Sequence, residues 1–124
     1  MKVHYFLFPG RAISKDNEKI FNRQGRPFTS KRFKDFEKYI KLSAKSQFEH
    51  DVLTGPVLVT MIFYFKNKVR PDLTNLPKSI CDAFNKTVWA DDRQIEIFQG
   101  SVKIDKNERI EVMVQEIDQS FKFD

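Results

Sequence analysis

Asp72, Asn75, Lys78, Asp82, Asp91 and Asp92 stand close together in a chain that otherwise favours lysine and arginine. Carboxylates repel one another, so such a gathering is either solvated at loop ends or held by a cation. Asn75, Lys78 and Asp82 recur at spacings of three and four, which puts them on one face of a helix. Asp91 and Asp92 follow Trp89 at the start of a strand, where adjacent side chains point to opposite faces. Only one of that pair joins Asp72 unless the chain bends there. A divalent metal gives the pattern a chemical reason. Mg²⁺ binds through a few carboxylates, keeps open water positions, makes a nucleophile from water and relieves charge on a phosphate. Lys78 then stabilises the transition-state charge or binds the scissile phosphate. Taken singly, the acids also fit a plainer account. Asp72 caps a helix, Asp82 pairs with Lys78 or Lys86, and Asp91-Asp92 makes a turn.

The elements that must position these residues are legible from periodicity. Residues 2–8 alternate at Val3, Tyr5 and Leu7 and read as a strand ending at Pro9-Gly10. Residues 11–30 are polar and basic, with a hairpin around Gln24-Gly25. Phe33, Phe36, Ile40, Ala44 and Phe48 make the apolar face of a helix over 31–48. Lys31, Lys34, Lys38, Lys41 and Lys45 form a second stripe on it, about 21 Å long at 1.5 Å per residue. Residues 57–66 are nearly all apolar and read as a strand covered on both faces. A second helix over 75–86 turns Leu76, Ile80, Ala83 and Phe84 inward. Thr74 suits its N-cap, and Pro77 falls in the first turn, where a missing N–H is tolerated. Residues 94–104 and 109–117 read as a hairpin closed by Asp105-Lys106-Asn107, with a bulge near Ile97-Phe98. The sum is an α+β (mixed α/β) fold: a single small domain over 1–124, with one mixed sheet of about four strands and two main helices on one face.

With 124 residues, 40% of them hydrophobic and 31% charged, the chain suits one globular domain. No window reaches the roughly 18 apolar residues of a membrane span. The opening apolar run is short and broken by Pro9-Gly10, which argues against a signal peptide. Cys81 stands alone, so no internal disulfide forms, and its apolar setting marks a small core residue of a cytoplasmic protein. The formal net charge is +5, with the excess in the first fifty residues and a mildly acidic remainder. A basic surface beside a carboxylate cluster suits a polyanion whose phosphate is brought to a metal. Arg11, Lys15, Lys19, Arg23, Arg26 and Arg70, with the lysine stripe, are the candidates for contact with its backbone. Phe21 and Phe28 are candidates to wedge into a branched nucleic acid, though the core claims most phenylalanines. Trp89 packs beneath the acids. His4 and His50 lie outside the pattern.

Three stretches carry a resemblance. Arg70-Pro71-Asp72-Leu73-Thr74-Asn75-Leu76-Pro77-Lys78, Asp82-Ala83-Phe84-Asn85, and Val88-Trp89-Ala90-Asp91-Asp92-Arg93-Gln94-Ile95 resemble the RusA family of Holliday-junction resolvases, including its phage and prophage members. Phe8-Pro9-Gly10-Arg11 and Arg26-Pro27-Phe28-Thr29-Ser30-Lys31 are similar too, so the resemblance runs from residue 5 to about 117. It implies a Mg²⁺-dependent endodeoxyribonuclease, with Mn²⁺ as a substitute metal and no small-molecule cofactor. It also implies a homodimer that nicks two strands of a four-way DNA junction symmetrically, away from any membrane. Asp72 and Asp92 match the catalytic aspartates, with Asp91 beside them as a third metal ligand, and Lys78 matches the catalytic lysine. Asn75 and Asp82 match supporting positions. Thr74 stands where the family has a second aspartate, which removes one negative charge. The expectation is that Asp72, Asp91 and Asp92 still hold the metal. The alternatives are a junction-binding protein that does not cut, and a small interaction domain whose acids are caps and turns.

Overall fold

Alternating apolar side chains build a sheet, and three- and four-residue spacing builds the helices that cover it. The computed structural model describes residues 2–15, 19–21, 24–25 and 27–118, with the backbone alone at 19–21 and 27–29. The described chain runs β1 (Val3–Pro9), β2 (Lys19–Phe21), β3 (Pro27–Thr29), α1 (Lys31–Gln47), β4 (Val57–Phe65), α2 (Pro77–Phe84), β5 (Ile95–Ile104) and β6 (Arg109–Glu116). Short 3₁₀ turns at Leu73–Asn75 and Asp92–Gln94 precede α2 and β5. Four strands form one sheet in the order β1-β6-β4-β5. β6 is antiparallel to both its neighbours, and β4 is parallel to β5. The sheet is therefore mixed, and the fold class is the expected α+β. β2 and β3 pair antiparallel, which is the expected hairpin. Its Gly25 has φ of 76°, which glycine adopts without steric cost.

One topological expectation fails. β5 and β6 do not pair with each other, because β4 lies between them and pairs with both. An all-apolar strand buries most when it has neighbours on both edges, so β4 takes the centre. The link at Asp105-Lys106-Asn107 arches over the end of β4, where the Asp105 N–H donates to the Phe65 carbonyl at 2.9 Å. Two strand spacings come to about 10 Å, which this short link spans. The bulge falls at Glu96, where the β4–β5 register skips from Ile95 to Ile97.

The second correction concerns coverage. Val57, Val59, Met61, Phe63 and Phe65 of β4 are buried, together with Ile110, Val112 and Val114 of β6. Leu58, Thr60, Ile62 and Tyr64 are only partly buried. One face is thus covered by the helices, and the other is left open by this chain. On β1, Phe6 and Phe8 enter the core, and Tyr5 and Leu7 lie exposed on the open side. Phe84 of α2 packs on Phe6 with ring centroids 4.8 Å apart, which joins helix to sheet. The free edge of β1 is blocked by α1. The Gln47 side chain accepts from the Leu7 N–H and donates to the Leu7 carbonyl, both at 2.9 Å, as a neighbouring strand would.

Ser30 begins α1 by accepting from the Phe33 N–H at 3.1 Å. Phe33, Phe36, Ile40 and Ala44 are buried, and Lys31, Lys34, Lys38, Lys41 and Lys45 are exposed, as the spacing predicts. The side chains of Lys19, Phe21, Arg23, Arg26 and Phe28 lie outside the described residues. No helix among the described residues is long and apolar enough to cross a membrane. Phe63 is 1% exposed at the middle of this packing. Phe63→Ala is expected to cost about 3–5 kcal/mol by removing packed ring area and leaving a cavity. Chemical denaturation checks it, and a loss below about 1 kcal/mol would mean that β4 is not the packing centre.

Candidate active site

The helix that carries the candidate lysine starts differently from its expected form. Thr74 does not cap it. Residues 73–75 form the 3₁₀ turn, Leu76 takes the cap position without a side-chain bond, and Pro77 is the first helical residue. Proline fits there because the first helical N–H has no partner within the helix. Leu76, Ile80, Ala83 and Phe84 are buried as expected, and Ser79 with them. That burial turns Lys78 and Asp82 outward. Thr74, Asn75, Lys78 and Asp82 line one small cleft of about 80 Å³, and Lys15 joins them from the basic segment after β1. Sequence spacing puts Asn75, Lys78 and Asp82 together, and Thr74, expected only as a cap, joins them. The arrival of Lys15 depends on tertiary packing and had no local signal.

The acids at the other end of α2 are held by the core. Trp89 is fully buried and packs on Phe84 at 5.4 Å between ring centroids. Its indole N–H donates to Oδ1 of Asp92 at 2.7 Å. A buried indole needs an acceptor, so the core fixes the orientation of that carboxylate. The turn leading to Trp89 is tight. Lys86 takes φ of 66°, and the Phe84 carbonyl accepts from the N–H groups of Thr87 and Val88 at 3.0 and 2.8 Å. Beyond Asp92, Gln94 acts as a clamp. Its amide donates to the carbonyls of Leu53 and Gly55 at 2.8 and 2.9 Å and accepts from the Asp91 N–H at 2.7 Å. Gln94 falls within the resembling motif, and its bonds give it a positioning role.

Asp91 accepts from the Arg93 N–H at 2.9 Å and completes a capping box with Gln94. The Arg93 N–H bond, and then the Arg93 charge, hold Asp91 below the usual carboxylate range. This matches the plainer turn reading for Asp91. Asp72 occupies the cap position of the first 3₁₀ turn but makes no capping bond. Cys81 is partly buried between helix and acids. Burial pushes its thiol up to about 12, with the charges of Asp92 and Asp82 adding to the effect. It stays a neutral thiol near neutral pH.

Mg²⁺ is commonly held by one or two carboxylates, with water and substrate phosphate filling its shell. Asp92 keeps one oxygen beyond its Trp89 bond, and Asp72 is not used as a cap. These hard donors suit such an ion. Among the described residues there is no group of three or more His, Cys, Asp or Glu side chains that could hold a metal. The trio Asp72, Asp91 and Asp92 is therefore not assembled as one three-acid cluster.

On the basic side, Arg11 is anchored rather than free. It donates to Glu108 and to the Val69 carbonyl, both at 2.9 Å, and lies 4.9 Å from the Phe65 ring centroid. Arg70 is exposed and donates to the Pro71 carbonyl at 2.9 Å. His4 bonds Glu116 at 3.0 Å, away from the acids.

Comparison with known proteins adds two findings. The model of a family described as Endodeoxyribonuclease RusA matches residues 9–115. The Uncharacterized protein YqaN of Bacillus subtilis (strain 168) is 26% identical, with 68% of this chain and 74% of that protein covered.

The Arg11 anchor gives a pH dependence. Burial pushes the Glu108 carboxyl up, but the Lys66 N–H and the Arg11 guanidinium outweigh it and hold it below its ordinary 4.5. A depressed folded value contributes stability that is present above the unfolded value and lost as pH falls through the folded one. Acid unfolding of Glu108→Gln is therefore expected to show a shallower stability loss below pH 4.5 than the wild type. Identical acid slopes in the two proteins would remove Glu108 from the account.

Proposed function

The chain belongs to the RusA endodeoxyribonuclease family, and on that premise we propose that it resolves four-way DNA junctions by Mg²⁺-dependent phosphodiester hydrolysis. The observation that supports this most is the Trp89–Asp92 bond. A fully buried tryptophan that orients a partly exposed carboxylate, whose charge acts together with that of Asp82 on the Cys81 thiol, serves a site better than it serves a core. In this reading Asp72 and Asp92 bind the metal, with Mn²⁺ as a substitute. Such an ion supplies an activated water and relieves charge on the phosphate. Lys78 takes a non-bridging phosphate oxygen and stabilises the charge that grows there. Asn75 and Asp82 orient Lys78 from the same cleft. Asp91 holds the turn that presents Asp92.

The lysine stripe of α1 spans about 21 Å. Duplex DNA advances about 3.4 Å per base pair, so the stripe follows about six pairs of one junction arm. Phosphate contacts of this kind position DNA without reading its sequence. Arg11, Lys15, Lys31, Lys34, Lys38, Lys41 and Arg70 are assigned to that task.

A second reading is favoured by two specific observations, Thr74 and the lack of a three-acid group among the described residues. It is a protein that binds junctions without cutting them. An end-labelled synthetic junction, incubated with and without Mg²⁺ beside a linear duplex, separates the two. Paired metal-dependent nicks confined to the junction are expected. Asp72→Asn and Asp92→Asn are expected to lower cutting by at least about 100-fold, the scale of losing one electrostatic stabiliser, with junction affinity kept. Asparagine caps a turn as well as aspartate, so Asp91→Asn is expected to cut nearly normally. Cutting by Asp92→Asn at the wild-type rate would sink the metal assignment. A wild type that binds but never cuts would move the protein to the second reading.

Symmetric nicks need two sites, so the reading includes a homodimer. The open sheet face supports it. Tyr5, Leu7, Ile62 and Met113 surround the Arg109–Glu111 pair around a concavity of about 400 Å³. An apolar patch with both charges can meet its own copy about a two-fold axis. Sedimentation is expected to give a dimer for the wild type and a monomer for Leu7→Asp. A monomeric wild type would remove the dimer from the account.

A further inference from the structure

Beside the acids lies a second cleft, of about 290 Å³, at the small end of the range for ligand sites. Arg11, Ser14, Arg32 and Arg70 line it, and its wall ends at Pro71, the residue before Asp72. Three guanidinium groups converge on one hollow, and Glu108 already balances the charge of Arg11. An independent observation points the same way. Ser14 is 1% exposed, and its hydroxyl has no hydrogen-bond partner among the described residues. Buried hydroxyls in folded proteins are nearly always satisfied, so this one calls for a partner that the chain does not supply. The arginines differ in their readiness. Glu108, the Val69 carbonyl and the Phe65 ring already hold Arg11 in place, and its guanidinium keeps N–H donors beyond the two engaged. Arg32 enters from the first turn of α1, and Arg70 from the loop after β4.

We infer that this cleft is a built subsite for one non-scissile phosphate of the DNA backbone. The inference rests on the nuclease reading and deepens it. The guanidinium groups of Arg11, Arg32 and Arg70 supply paired donors to the phosphate oxygens, which suit a tetrahedral anion better than ammonium groups do. Ser14 donates its hydroxyl to a remaining oxygen. Because Pro71 of the cleft directly precedes Asp72 in the chain, the phosphate bound here is placed next to the one attacked. It fixes which bond meets Lys78 and the acids. Ser14 and Arg32 thereby become DNA contacts that charge patterning alone did not select.

The test uses the full chain and a synthetic four-way junction, in the absence of divalent metal so that nothing is cut. Ser14→Ala removes an unsatisfied hydroxyl, so its melting temperature is expected to equal or exceed that of the wild type. Its junction affinity is expected to fall about tenfold, the scale of one hydrogen bond to a charged group. Arg32→Gln is expected to lower the slope of log K against log salt by about one. Both changes together support the subsite. Wild-type affinity and slope in both variants, with normal wild-type binding, would overturn the subsite and leave the nuclease reading standing. A wild type that binds neither junction nor duplex would overturn the nuclease reading, and the subsite with it. A fall in affinity for Ser14→Ala matched by a fall in melting temperature would mark Ser14 as structural and also overturn the assignment, unless Arg32→Gln keeps its reduced slope.

Discussion

The position of β4 sets everything else in the molecule. It is the only described strand of the four-stranded sheet that pairs with a partner on each side in opposite senses, parallel to β5 and antiparallel to β6. Its inner residues Val57, Val59, Met61, Phe63 and Phe65 are at most 1% exposed. With this strand central, β5 and β6 must fall on opposite sides of it, and the chain between β4 and β5 must cross over the sheet. That crossover carries the 3₁₀ turn, α2 and the Trp89 turn. A parallel pair cannot be joined by a tight turn, so the crossover is long by necessity. Every candidate catalytic residue lies on it.

The crossover is tied down by polar bonds at its late end and apolar packing in the middle. Ile80, Phe84 and Trp89 seat it on the sheet, each fully buried. Gln94 then locks the chain to the loop at Leu53 and Gly55 through two hydrogen bonds, and accepts a third from the Asp91 N–H of its own turn. The bond from Trp89 to Asp92 joins the two regimes, because the donor belongs to the core and the acceptor to the surface. Such a carboxylate gives up little freedom on binding a ligand, since packing has already removed it. Asp72 is placed by different means. Leu73 beside it reaches toward Gly100, where an added Cβ would lie 3.7 Å from Leu73 and 3.0 Å from the Phe98 ring. Leu73 would meet that Cβ at an ordinary contact distance, so the crowding that Gly100 avoids is with the Phe98 ring of its own strand.

Local spacing revealed most of this, and the failures have a common cause. Both long helices, the buried faces of α1 and α2, and the strand ends were legible because apolar periodicity reports directly on a buried face. The pairing of β5 with β6 was misjudged because a short polar link between two strands looks the same whether they are neighbours or flank a third. The coverage of β4 was misjudged because Leu58, Ile62 and Tyr64 ask for burial that one copy of the chain does not provide. Thr74 suits a cap by its type and position. The chain instead spends residues 73–75 on a 3₁₀ turn and starts α2 at Pro77. Long-range convergence left no local trace at all. Lys15 beside Lys78, and Ser14 among three arginines, become visible only when the segment after β1 folds across α2 and the loop after β4.

The replacement of a carboxylate by Thr74 can be weighed against these neighbours. Thr74 lines the cleft that holds Lys15, Lys78 and Asp82. Two lysines and one aspartate leave that cleft net positive. An aspartate at position 74 would bring it to neutrality and would compete with phosphate for Lys78. On the proposed reading, threonine there leaves both lysines to a phosphate with less competition and takes a candidate ligand from the metal. The substitution therefore shifts the site from holding a cation toward holding an anion. On the proposed nuclease reading, a protein tuned this way gains in the grip on DNA and depends more heavily on Asp92, whose orientation the core enforces.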